Sequence, residues 1–166
     1  MCSALFKQGM RRLAASVTVI TARDGGEVVG LTATAVCSLC AEPPSLLCCL
    51  NRSSRTAQAI VNSRQFAVNI LSPNDIEVAG KFATSAAPAE KFAVGEWNVR
   101  PGAAPWLSSA TAVFECSVSE IIESGTHLVL IGDVTDVRLD AGDSASLLYA
   151  RGEYGRFINA VMTAAA

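Results

Sequence analysis

The sequence has 166 residues, of which 51% are hydrophobic and 17% charged, with a formal net charge of −2. This balance excludes the extended basic surface typical of nucleic-acid-binding proteins, and no uninterrupted apolar run approaches the roughly 18–20 residues of a membrane span. We therefore expect a single domain over residues 1–166 with no nucleic-acid or membrane partner, and either a large alanine-rich core or apolar surface covered by a second copy of the chain or by a flat aromatic ligand.

The predicted elements begin with a helix and a hairpin. Apolar residues recur at helical spacing over residues 6–14, which predicts a first helix. Residues 16–22 (SVTVITA) are β-branched and alternating, and this pattern predicts a strand. The sequence DGG at residues 24–26 is typical of a hairpin turn, and residues 28–36 (VVGLTATAV) form the predicted return strand. Gly30 within it indicates a bulge or a close backbone approach.

A strand, a helix and a further strand follow. Residues 45–50 (SLLCCL) form a short buried strand, and the polar residues 51–56 (NRSSRT) precede an apolar helical stripe that a serine caps. Residues 66–71 (FAVNIL) are the next strand. The sequence SPND at residues 72–75 then predicts the start of another helix, because it supplies a capping serine and a proline at the first helical position.

The last part of the chain reads as a long loop followed by strands. Residues 83–110 contain three prolines and predict a loop, and loops of this length are often functional. Residues 111–123 and 127–139 predict two long paired strands, and residues 147–157 predict one closing strand. This order predicts a mainly β (α+β) fold, a small antiparallel barrel with helices packed on its outside. No G-x-G-x-x-G follows a first strand, which argues against a Rossmann fold.

The chain contains six cysteines and one histidine. Because no export signal precedes the domain, we expect reduced thiols and a cytoplasmic location. Cys37 and Cys40 form a CxxC pair, but it lies in a β-like run rather than at a helix start. His127 alone adds too few ligands for a zinc site. We therefore expect no metal, and cysteines that act as small apolar side chains, with the adjacent Cys48 and Cys49 on opposite faces of a strand.

Four segments combine small and polar residues beside apolar strands, whereas no hydrolase motif is present. They are GLTATA at 30–35, NRSSRT at 51–56, SGTH at 124–127 and YARGEYGR at 149–156. The first suits close contact with a planar ring, and the second suits a phosphate because a helix start, hydroxyls and two guanidinium groups coincide. Each also has a structural interpretation: a threonine-rich strand, a capped helix with solvated arginines, a surface histidine, and an edge strand with turn glycines.

These four segments, in this order, resemble the flavin reductase family of the FMN-binding split-barrel fold, over about residues 6–157. Residues 30–56 look most like the reductase partners of 4-hydroxyphenylacetate and chlorophenol hydroxylases. The sequences FAVNIL, GKFA at 80–83 and GTHLVLIGDV at 125–134 are also similar to family signatures. The resemblance implies an antiparallel split β-barrel with peripheral helices that forms a homodimer, with flavin bound near the subunit interface.

The resemblance also implies the site residues. Those expected to bind the flavin are Gly30, Thr32, Ala33, Thr34, Ser38, Leu39, Asn51, Ser53, Ser54, Thr56, Lys81, Phe82 and Ala83. His127 matches the family's histidine on the nicotinamide side and is the predicted catalytic residue, and Tyr154 matches a tyrosine near the same cleft. Two departures concern the nicotinamide contacts: Thr126 stands where members often have aspartate, and the cysteines of CSLC replace residues that are commonly serine or threonine.

The implied activity is NAD(P)H-dependent flavin reduction (an oxidoreductase of the EC 1.5.1 type). Hydride passes from NADH or NADPH to dissociable FAD or FMN, and the reduced flavin diffuses to a separate flavin-dependent monooxygenase of aromatic degradation. Hydride transfer between stacked rings needs no strong acid or base, which agrees with the scarcity of titratable groups. Two alternatives stay open: a non-catalytic flavin-binding module with the same barrel, and a dimerising structural domain.

Overall fold

The computed structural model describes residues 3–142 and 144–158. The helices there are α1 (Ser3–Met10), α2 (Arg55–Ser63), α3 (Ile76–Phe82) and α4 (Pro88–Phe92), with a 3₁₀ turn at Pro73–Asp75 before α3. The strands are β1 (Ala15–Ser16), β2 (Thr18–Asp24), β3 (Glu27–Ala33), β4 (Val36–Ala41), β5 (Pro44–Asn51), β6 (Gln65–Ile70), β7 (Trp97–Asn98), β8 (Trp106–Leu107), β9 (Ala112–Ser124), β10 (His127–Leu139), β11 (Leu147–Ala150) and β12 (Glu153–Arg156).

Seven strands form one antiparallel sheet, in the order β3-β2-β6-β9-β10-β5-β4. Its two edge strands, β3 and β4, are consecutive in the chain and are joined only by Thr34 and Ala35. Because two residues span at most about 7 Å, the end of β3 at one edge lies near the start of β4 at the other. A mainly β, antiparallel fold with a few helices is confirmed.

Both faces of the large sheet are buried along β2. Ile20 faces a cluster that includes Phe66 and Ile60 of α2, whereas the neighbouring Val19 faces a cluster that includes Phe82 of α3. Successive side chains of a strand point to opposite faces, so β2 contributes to both clusters in turn. Burial of each large side chain contributes about 1.5–3 kcal/mol, and β2 therefore ties α2 and α3 to the sheet.

One glycine of β10 lets an aromatic ring enter the core. A Cβ added at Gly132 would stand 2.5 Å from Phe66 Cζ and 2.9 Å from Cys116 Cβ. The pairing of β10 with β9 shifts register between Ile131 and Gly132. Any side chain at this position would displace the Phe66 ring, so the glycine is required by packing rather than by backbone conformation.

The predictions placed two element ends wrongly. The first helix ends at Met10 rather than at residue 14, and none of its residues is buried. The predicted strand over residues 28–36 is interrupted, because β3 ends at Ala33 and β4 begins at Val36 on the other edge of the sheet. The periodicity of residues 28–36 is continuous, so only the pairing of β3 with β2 and of β4 with β5 reveals the break.

Two further segments hold more structure than their sequences indicated. The predicted loop over residues 83–110 contains α4 and the short pair β7–β8. The predicted single strand over residues 147–157 is a hairpin, β11–β12, with its turn at Arg151 (φ 58°) and Gly152 (φ 93°). Only Gly152 signalled that turn, since a positive φ at arginine is rare. Within the two described ranges, no helix is both long and apolar enough to cross a bilayer.

Candidate functional site

A cleft of about 730 Å³ opens between β3, the end of β5, the start of α2 and the segment that precedes α4. Its volume lies in the usual range for small-molecule sites, roughly 300–1,000 Å³. The structure brings ten of the predicted site residues to its wall: Gly30, Thr32, Ala33, Thr34, Asn51, Ser54, Thr56, Phe82, Ala83 and His127. Residues separated by nearly a hundred positions in the chain therefore share one concave surface.

The wall formed by β3 is built of small side chains. Thr32 Oγ1 donates a hydrogen bond to the Ala79 carbonyl of α3 at 2.7 Å, which anchors the strand to that helix. A Cβ added at Gly30 would stand 2.8 Å from Phe82 Cε1, so the close approach expected at this glycine is made by the Phe82 ring. The small side chains keep this wall nearly flat, and the Phe82 ring packed against it fixes its position. A flat ligand requires both properties.

The start of α2 forms the second wall. Ser54 is the N-cap, and its Oγ accepts a hydrogen bond from the Ala57 amide at 3.1 Å. Asn51 Oδ1 accepts hydrogen bonds from the amide of Ser53 at 3.0 Å and from its hydroxyl at 2.8 Å, which fixes the turn before the cap. The first amides of a helix have no intrahelical acceptor, and the helix dipole adds positive potential there. This end of the cleft favours an anion.

Of the two arginines of this segment, Arg55 lines the cleft with its guanidinium bonded to carboxylates, and Arg52 lies outside the cleft. The Arg55 guanidinium lies between two carboxylates of the β2–β3 hairpin, bonded to Asp24 Oδ2 at 2.9 Å and also to Glu27. Arg52 lies outside the cleft wall, 3.9 Å from a Glu123 carboxylate oxygen. The backbone and the hydroxyls, rather than a pair of guanidinium groups, are therefore the donors for an anion at this helix end.

His127 closes the cleft next to the α2 start. It is the first residue of β10 and is paired with Asn51 of β5 across the sheet. Its Nδ1 lies 2.9 Å from Thr126 Oγ1, and the Thr126 carbonyl accepts a hydrogen bond from the Arg52 amide at 3.0 Å. The imidazole is exposed, so its other nitrogen, Nε2, is available to a ligand at the mouth of the cleft.

Five predicted site residues lie outside the cleft wall of the single chain: Ser38, Leu39, Ser53, Lys81 and Tyr154. Ser53 adjoins it through Asn51, whereas Lys81 Nζ is bonded to Glu90 at 3.1 Å. Ser38 and Leu39 follow β4 away from β3, and Ser38 lines a separate apolar cavity of about 370 Å³. Tyr154 packs against Tyr149 in β11, with ring centroids 5.4 Å apart. A role for these five in binding stays a prediction.

The sequence predictions missed Lys91, which also lines the cleft. It belongs to α4, inside the predicted loop, and is 9% exposed. Its ammonium donates to the carbonyls of Gly30 at 3.2 Å and Phe82 at 3.4 Å, and burial lowers its pKa below the ordinary value for lysine. Pro88 at the first helical position and Glu90 in the first turn are the signals that would have predicted α4.

The cysteines fall into two groups. Cys48 and Cys116 are buried, and burial is the main cause that raises the pKa of each thiol to about 12. They act as small apolar side chains, as predicted, and the strand turns Cys49 away from Cys48. The prediction is wrong for Cys37 and Cys40, which are exposed free thiols on the edge strand β4. Cys2 lies outside the described residues.

Comparison with known proteins identifies relatives of this chain. The model of the family described as "Flavin reductase like domain" matches residues 10–157. An "FMN reductase (NADH) RutF" of Pseudomonas syringae pv. syringae is 36% identical over 146 residues, covering 88% of this chain and 82% of the relative. The reductase component of a 4-nitrophenol 4-monooxygenase/4-nitrocatechol 2-monooxygenase of Rhodococcus opacus is 37% identical over 154 residues, covering 92% and 80%.

A solved structure agrees with the same assignment of the fold. The flavin reductase domain protein from Arthrobacter sp. FB24 superposes with a TM-score of 0.87 at 28% identity, covering 95% of this chain and 97% of that one. The likeness therefore extends over nearly all of both chains.

Proposed function

Since this chain belongs to the flavin reductase-like domain family, we propose that it is an NAD(P)H:flavin oxidoreductase. It reduces FAD or FMN by hydride transfer and supplies the reduced flavin to a separate monooxygenase component. The single observation that carries the proposal is the cleft, where the small-residue wall of β3, the α2 start and His127 meet. The names of the Pseudomonas and Rhodococcus relatives support flavin reduction and service to a monooxygenase respectively.

The residues present fit a phosphorylated planar cofactor. Ala33 leaves room for a ring beside the β3 backbone, and Ser54 and Thr56 place hydroxyls at a helix start where a phosphate is favoured. The buried Lys91 ammonium adds positive charge to the same cleft. An apolar wall with a few convergent polar groups is the general character of cofactor sites.

When bound, flavin supplies the acceptor for the hydride, and the protein supplies placement. The β3 wall sets the plane of the ring, because Thr32 and Phe82 hold that strand against α3. Ser54 and Thr56 anchor the phosphate, and Nε2 of His127 orients the nicotinamide at the open side of the cleft. Contacts of this modest polar kind allow the reduced product to leave, as delivery to another protein requires.

The proposal includes the state of the whole protein. It includes closure of the sheet as a split barrel, a single domain, and a homodimer with the flavin near its interface. It also includes diffusible transfer of reduced flavin and the EC 1.5.1 class. The exposed apolar side chains of α1 support a second copy, because none of that helix is buried in one chain. A reducing, cytoplasmic location also belongs to the proposal.

The direct test crosses FAD and FMN with NADH and NADPH in a steady-state assay that follows the absorbance of the reduced nicotinamide. We expect consumption that requires both protein and flavin, and the four rates give the preferences. Protein that binds flavin without consuming nicotinamide would instead be a flavin-binding module. Protein that neither binds flavin nor consumes nicotinamide would be a structural domain.

A further inference from the structure

Lys91 lines the cleft next to its β3 wall. It projects from α4, and its ammonium reaches the Gly30 carbonyl, at the first residue of the GLTATA segment that forms that wall. The second acceptor is the Phe82 carbonyl at the end of α3, and the Phe82 ring centroid lies 5.9 Å from Nζ. The ammonium is therefore fixed at the ring wall by three surrounding elements, β3, α3 and α4.

Its charge is not neutralised by a neighbouring side chain. Across residues 3–142 and 144–158, no carboxylate lies within 4.0 Å of Lys91 Nζ, and its two hydrogen-bond acceptors are uncharged carbonyls. Arg55, the other cationic side chain that lines the cleft, is bonded to both Asp24 and Glu27. Burial of a cation without an anionic partner costs free energy, and an anion bound in the cleft would offset that cost.

Hydride transfer creates such an anion. A hydride carries one hydrogen nucleus and two electrons, so the nicotinamide becomes a cation and the flavin ring system gains one negative charge, with no proton needed from the protein. We propose that Lys91 stabilises this added charge, so that loss of its ammonium weakens the binding of reduced flavin more than the binding of oxidised flavin. This inference rests on the proposed function. It assigns the stabilisation of the flavin charge to Lys91, whereas His127 is proposed to contact the nicotinamide.

A flavin phosphate is the other anion that Lys91 could serve, and the two sources differ in a measurable way. The ring charge changes on reduction, whereas the phosphate charge is the same in both redox states. Riboflavin carries the ring without the phosphate. A residue that stabilises ring charge therefore favours the reduced form of FMN and of riboflavin alike, whereas a phosphate ligand favours FMN over riboflavin regardless of redox state.

The experiment measures dissociation constants of oxidised and reduced FMN and riboflavin under anaerobic conditions, for the full chain and for Lys91→Met. Methionine keeps the length of the side chain without its charge. We expect K91M to bind reduced flavin about tenfold more weakly than the unmodified chain does, or weaker still, with much less change for oxidised flavin. For a two-electron couple, a tenfold selective loss lowers the midpoint potential of the bound flavin by about 30 mV. Lys91→Arg keeps the charge and should therefore keep the affinity for reduced flavin.

Arg100→Met is the control, because it removes an exposed cationic side chain that lies outside both the cleft and α1, and it should change no constant. Circular dichroism and urea denaturation establish that each variant is folded. If K91M does not fold, Lys91→Gln and K91R carry the comparison. Equal losses for both redox states that vanish with riboflavin would make Lys91 a phosphate ligand and overturn the proposal, as would unchanged constants. Failure of the unmodified chain to bind flavin would instead refute the proposed function.

Discussion

At the scale of single residues, His127 is the side chain whose position most directly predicts a kinetic effect. We expect His127→Ala to raise KM for NADH about tenfold with a smaller change in kcat, because it removes one hydrogen bond to a bound nicotinamide. Steady-state rates at saturating flavin and varied NADH measure both constants. His127→Gln, which keeps a polar nitrogen, should restore part of the affinity. A variant with the same KM as the unmodified protein would remove His127 from the nicotinamide site.

The cysteines give a second prediction at this scale. Cys37 and Cys40 are exposed on β4, whereas burial raises the pKa of Cys48 and Cys116 to about 12. Because the thiolate is the nucleophile, we expect iodoacetamide to alkylate the first pair about a hundredfold or more faster than the second. Peptide mass spectrometry of timed samples measures each site, and samples in urea serve as the control in which all sites react. Rapid labelling of Cys48 in the folded protein would contradict the described packing.

Lys91 and Lys81 show why residue roles are hard to assign from sequence. Both lysines precede a phenylalanine, in GKFA and in EKFA, and the resemblance favoured Lys81. In the folded chain Lys81 is bonded to Glu90, whereas Lys91 is buried at the cleft. The two motifs are nearly identical, so only the packing of α4 against β3 distinguishes the lysine that lines the cleft.

At the scale of elements, the start of α2 combines two separable roles in Ser54. Its hydroxyl caps the helix, and it lines the cleft where a phosphate is proposed. We expect Ser54→Ala to lower the free energy of unfolding by about 1 kcal/mol, whereas Ser54→Asp keeps the cap and most of the stability. The added carboxylate of S54D should repel a phosphate, so FMN binding falls while riboflavin binding does not.

Urea denaturation and flavin titrations measure the two effects independently. S54A serves as the control for loss of the hydroxyl without added charge. If S54D bound FMN as tightly as the unmodified protein does, the phosphate would lie elsewhere than at the α2 start.

The connection between β3 and β4 is the element-scale feature that shapes the site. Residues 28–36 read as one strand because their β-branched pattern is unbroken, yet the chain leaves one sheet edge after Ala33 and joins the other at Val36. This transfer exposes Thr34 and Ala35 at the cleft and carries Ser38 and Leu39 away from it. Which edge a segment joins depends on distant strands, so its own residues do not reveal the transfer.

At the scale of the whole molecule, the exposed apolar surface predicts a homodimer. α1 buries none of its residues, although Phe6 and Met10 lie on one apolar face. We expect light scattering to give about twice the 17.3-kDa mass of the chain. Phe6→Glu should shift the population towards monomer, whereas Gln8→Glu, on another face of α1, adds the same charge and should not. A monomeric mass for the unmodified protein at micromolar concentration would contradict the proposed dimer.

The mainly β fold class, the β2–β3 and β9–β10 hairpins and the segments that line the cleft could be predicted from the sequence, because period-two patterning, turn residues and helix caps are local signals. Ten of the predicted residues consequently meet at one cleft. The break between β3 and β4, the helix inside the long loop and the position of Lys91 could not be predicted in this way. These features depend on the packing of strands and helices against one another, and the residues that make those contacts are far apart in the chain.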